Sequence, residues 1–88
     1  MLEIRISRHS EKFMMSVSPK HARQIKTKFN ALRLEPFPHD TKQLIGFPFY
    51  RTDVGEYRIV YKVEQTILFI VLVGKRNDDE IYKKLKRL

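Results

Sequence analysis

Residues 49–61 read FYRTDVGEYRIVY, and how this stretch pairs with itself decides the fold. Two runs rich in β-branched and aromatic residues flank Gly55, the pattern of a β-hairpin. Strands are expected over 49–53 and 57–63. A two-residue loop at Val54-Gly55, or a four-residue loop at 53–56, pairs Thr52 with Tyr57 and sets Arg51 opposite Arg58. Only an odd-length loop or a bulge would shift that register. Directly opposed like charges cost about a few tenths of a kcal/mol on an exposed face. Tyr57, Ile59, Tyr61 and Val63 take the other face, toward a core. Two readings of the arginines follow. Either they splay into water beside Asp53 and Glu56, or they form an anion site, because paired guanidiniums offer planar forks of donors to phosphate oxygens.

On the N-terminal side, LEIRI (2–6) alternates as a half-buried strand does, and a short helix is expected around 8–16. Ser18 is a candidate N-cap with Pro19 at the first helical position, where its missing N–H costs nothing. Ala22, Ile25, Phe29 and Leu32 then form one apolar stripe at helical spacing, among Lys20, Arg23, Lys26, Lys28 and Arg33. Pro36 and Pro38 stop that helix, and EPFPHDTKQLIGFP reads as a loop.

On the C-terminal side, a turn at Glu64-Gln65 leads into a strand over 66–73. ILFIVLV shows no alternation, which marks a central strand covered on both faces. Gly74 is expected to end it. Residues 78–87 read as a final helix with Asp78, Asp79 and Glu80 at its start and Lys83, Lys84, Lys86 and Arg87 toward its end, matching the helix dipole. The whole is a compact single α+β domain over 1–88: an antiparallel sheet of about four strands, two N-terminal helices and a short C-terminal helix.

Bulk composition narrows the function. The 88 residues carry 18 Lys and Arg against 10 Asp and Glu, a net charge of +8 at pH 7. Such a chain attracts phosphate backbones, anionic surfaces or an acidic protein. With no cysteine, thiolate metal sites and disulfides are excluded,. The start MLEIRISRHSEK has no apolar h-region, and 67–73 is too short to span a bilayer. A cytoplasmic protein without membrane contact is expected. His9, His21 and His39 share no ligand spacing and are read as surface residues. No metal and no cofactor is expected.

Chemistry concentrates in the second half. If Val71 pairs with Arg58 through the Glu64-Gln65 turn, Lys75 and Arg76 lie near the open end of the first hairpin, with Tyr82 close by on the final helix. Tyr82 on its own reads first as a packing residue beside Ile81 and Leu85. Together, arginines, a lysine and a phenol could stabilise a pentacoordinate phosphate and move protons during attack by an RNA 2′-OH. An isolated tyrosine titrates near pH 10 and is a poor base, but surrounding cations favour the phenolate.

YRTDVGEYRIVYKV, an apolar strand ending in GKR, and a tyrosine six residues past that arginine resemble the RelE/ParE superfamily of bacterial and archaeal toxin–antitoxin toxins. The resemblance spans the chain and is densest from 44 to 82. It implies the RelE-like microbial RNase fold and, for the RelE branch, a metal-independent endoribonuclease that cuts mRNA in the ribosomal A site. By that resemblance Arg51 is the basic residue of the second strand and Arg58 binds phosphate. Arg76 acts as general acid or transition-state stabiliser, Tyr82 as general base, and Lys75 assists. Phe49 and Asp53 depart from the pattern, standing where basic residues are common. The resemblance further implies an acidic antitoxin that covers or displaces the last helix, operator DNA contacted only through that antitoxin, and ribosomal RNA met partly by KKLKR (83–87). It leaves open a ParE-like toxin that inhibits DNA gyrase without nuclease chemistry, and an inactive member that only binds its antitoxin.

Overall fold

Two serines launch the first two helices. Ser7 Oγ accepts from the Ser10 amide at 3.1 Å, and Ser18 Oγ accepts from the His21 amide at 3.4 Å; each satisfies one orphan N–H of a first turn. The computed structural model describes residues 1–77 and 80–87. In chain order the elements are β1 (Glu3–Ile6), α1 (Arg8–Ser16), α2 (Pro19–Leu34), β2 (Lys42–Gln43), β3 (Tyr50–Val54), β4 (Tyr57–Glu64), β5 (Ile67–Lys75) and α3 (Glu80–Arg87). The start of the last helix expected at Asp78 and Asp79 lies outside the described residues.

The sheet runs β1-β5-β4-β3-β2, with β1 parallel to β5 and the other pairs antiparallel. The architecture is α+β, as the sequence implies, with a fifth strand. β2 hides in the proline- and glycine-rich loop, because two residues carry no alternation to read.

The β3–β4 register differs from the expected one. Val54 pairs with Tyr57, so the turn is Gly55-Glu56 and Asp53, not Arg51, faces Arg58. Arg51 faces Val60 and Thr52 faces Ile59. The reason is the turn: Gly55 is left-handed at φ +57° in the first central position, the type II′ pattern that matches strand twist. A turn at Val54-Gly55 would displace the glycine from that place. The register adopted also sets opposite charges across the ladder where the other would oppose like ones.

The β4–β5 register is corrected likewise. Arg58 faces Gly74, not Val71. Glu64 pairs with Ile67, placing the turn at Gln65-Thr66, with Gln65 at φ +55°. Val60 pairs with Leu72 but Tyr61 with Ile70, so Val71 is an extra residue in β5. This bulge reverses the side-chain parity of β5. The strand continues through Gly74 to Lys75.

Each face of the sheet has its own core. On one face Ile25, Phe29 and Leu32 of α2 pack on Tyr57, Ile59, Tyr61, Leu68, Ile70 and Val73, with Phe13 and Met14 of α1 alongside. On the other, Ile81 and Leu85 of α3 cover Leu44, Val60 and Leu72. β5 therefore is covered on both sides, as its unbroken apolar run implies. His21 is not a plain surface residue: its Nδ1 lies 2.6 Å from the Tyr57 hydroxyl, and the pair is partly buried.

Candidate active site

The polar end of the α3-covered face holds the candidate site. Alternation along β3 and β4 brings Arg51, Asp53 and Arg58 to this face,, while the Ile81 and Leu85 anchors of α3 hold Tyr82 above it. Arg58 Nη1 donates to the Tyr82 hydroxyl at 2.6 Å. Arg58 Nε donates to Asp53 Oδ1 at 2.8 Å, and Nη2 to Oδ2 at 3.4 Å. The Arg58 side chain is 14% exposed and that of Asp53 34%. The hydrogen bond to Asp53 outweighs the cost of burial and, with help from Tyr82, holds the guanidinium more firmly protonated than usual,.

Arg51 sits diagonally from Arg58 on the same face, with Asp53 on the intervening side. Arg51 and Tyr82 share a depression of about 250 Å³ with Gln43, Leu44 and Ile45. Ile45 is 98% exposed at its rim. Among the described residues no carboxylate pairs with Arg51. Directly across the β2–β3 ladder from it is Lys42, a residue the sequence reading missed because it falls in the loop-like segment. The opposed cations inferred for Arg51 and Arg58 thus exist, but as Lys42 and Arg51.

The remaining candidates are spread wider. Arg76 lies not at the open end of the hairpin but at its turn, its amide donating to the Glu56 carbonyl at 3.0 Å. The Arg76 side chain is exposed, as is Lys75, and among the described contacts none joins Arg76 to Arg58 or Tyr82. Lys83, Lys84, Lys86 and Arg87 are exposed on α3. On the far side of the Gly55-Glu56 turn, Lys20, His21 and Arg23 of α2 line a second open depression of about 550 Å³. Among the described residues, no group of three or more His, Asp or Glu could hold a metal, and no helix is long and apolar enough to cross a membrane.

The sequence matches the family of ParE toxins of type II toxin–antitoxin systems over residues 4–80. The backbone superposes on a doubly substituted Escherichia coli toxin RelE in the free state with a TM-score of 0.81 at 25% identity, covering 99% of this chain and 97% of that one. RelE in the archaeal RelE–RelB complex of Pyrococcus horikoshii gives a TM-score of 0.75 at 25% identity, over 85% of this chain and 94% of that one. RelE in the intact Escherichia coli RelBE complex gives 0.75 at 24% identity, over 85% and 96%. Among curated protein sequences none matches. The chain belongs to the ParE toxin family, and it is a toxin of a toxin–antitoxin system with the RelE fold.

Proposed function

We propose that this toxin is a metal-independent endoribonuclease that cuts mRNA in the ribosomal A site. The observation that carries the reading is the 2.6 Å contact between Arg58 and Tyr82, beside the cationic pair Lys42 and Arg51. In this reading Arg58 donates hydrogen bonds to the phosphate and Tyr82 moves the proton, both within reach of one reacting centre. In the reaction the 2′-oxygen attacks the adjacent phosphorus while Tyr82 takes its proton. The P–O5′ bond breaks, Arg76 offsets or protonates the departing oxygen, and a 2′,3′-cyclic phosphate and a 5′-hydroxyl result. Arg51, Arg58 and Lys42 face the phosphate charge. Lys75, Lys83, Lys84, Lys86 and Arg87 meet the RNA backbone around the site.

The similar RelE structures include RelE–RelB complexes from a bacterium and an archaeon. An acidic antitoxin of this kind suits a chain of net charge +8 and would neutralise it by covering the α3 face, reaching operator DNA on the toxin's behalf. The match to ParE toxins favours a second reading, inhibition of DNA gyrase by protein contact. Induced expression in a bacterial host separates the two. Truncated messages with intact supercoiling and no DNA-damage response support the nuclease, whereas intact messages with damage signalling support gyrase.

A further inference from the structure

Asp53 stands where a nuclease would be expected to keep a cation, yet it is the residue most firmly engaged with Arg58. The register fixes this: Asp53 and Arg58 are direct cross-strand partners, and a one-residue slip would send Asp53 to the opposite face. A guanidinium has five N–H donors in a rigid plane. Asp53 takes the side edge, through Nε and Nη2. Tyr82 takes one donor of Nη1. What remains is one N–H on each Nη.

We infer that Asp53 is a positioning residue, clamping Arg58 by its side edge so that the free N–H groups, next to the Tyr82 hydroxyl, form the face that meets the RNA phosphate. The inference rests on the nuclease reading above. The same carboxylate has a second effect, because it removes one unit of positive charge from the site. It trades uniform attraction, which does not accelerate the reaction unless it grows in the transition state, for orientation of the donors.

The test compares the parent with Asp53→Asn and Asp53→Glu. Asparagine keeps the shape but loses the charge and the second accepting oxygen; glutamate keeps both at a longer reach. Binding of a labelled single-stranded RNA oligonucleotide, 2′-O-methylated so that it cannot be cut, is measured from low to high salt. Asp53→Asn should bind more tightly at low salt, with a log–log slope steeper by about 0.7, the value for one further neutralised phosphate of a single strand. Asp53→Glu should keep the parent slope. On programmed ribosomes Asp53→Asn should lower kcat and KM together, a split that a loss of folding would not produce. Equal slopes and equal kinetics in Asp53→Asn would overturn the inference while leaving the nuclease reading intact. Failure of the parent itself to bind or cut RNA would overturn both.

Discussion

Lys42 lies directly across the β2–β3 ladder from Arg51. Opposed like charges destabilise a strand pair, by roughly 0.2–1 kcal/mol, so this pair works against the fold. Replacing Lys42 with alanine should raise the free energy of unfolding by about a few tenths of a kcal/mol in urea titrations. The same change should weaken RNA binding and flatten its salt dependence. Lower stability together with unchanged binding would remove Lys42 from the site.

Tyr82→Phe removes one oxygen and leaves the apolar packing of α3 in place, because Ile81 and Leu85 supply the buried contacts. Cleavage should fall by about 100-fold or more, the range for loss of a positioned proton-transfer group, with thermal unfolding near that of the parent. Arg76→Ala should lower cleavage by a similar factor if it stabilises the leaving oxygen, and should keep the fold, because its side chain is exposed and its structural link is made by the backbone. Both should relieve growth arrest in cells. Full toxicity in both would mean that these residues do no chemistry.

The pH range of stability should have two distinct edges. Burial of Tyr61 pushes its phenol above the usual tyrosine range, so its contribution is complete below about pH 10 and is lost as pH rises through the higher folded value. Burial acts to raise Asp40, but hydrogen bonds from Thr52 and Lys28 outweigh it and hold the carboxyl low. That contribution is present above about pH 4 and disappears as pH falls through the lower folded value. Melting temperature against pH should show an alkaline decline that Tyr61→Phe reduces and an acid decline that Asp40→Asn reduces.

Ile59 and Leu68 are fully buried on the α2 side of the sheet. Truncating either to alanine removes apolar surface and leaves a cavity, which costs about 2–5 kcal/mol. Chemical denaturation should show this as a lower midpoint with an unchanged slope. A cost below about 1 kcal/mol would mean that the core collapses around the gap.

Much of this architecture is legible in the chain, and the unread parts share a cause. α2 begins where Ser18 and Pro19 say it should, since capping is a local property. β5 announces its two-sided burial by its lack of alternation. Register is a different matter, because it depends on how a turn places its glycine: Gly55 in the first central position moves every pair by two residues along the ladder. Val71 gives no sign of being a bulge, as nothing in ILFIVLV marks which residue is extra. The nearness of Tyr82 to Arg58 was foreseeable from the convergence of strand ends, but the Asp53 clamp was not, because it follows from the shifted register. Lys42 was hidden by the brevity of β2.

The central claim is tested most directly by primer extension on a defined mRNA incubated with the pure toxin, with and without programmed ribosomes. The account predicts cuts within the A-site codon only when ribosomes are present, and their loss in Arg76→Ala. Intact message under both conditions, with supercoiling by gyrase inhibited instead, would contradict it.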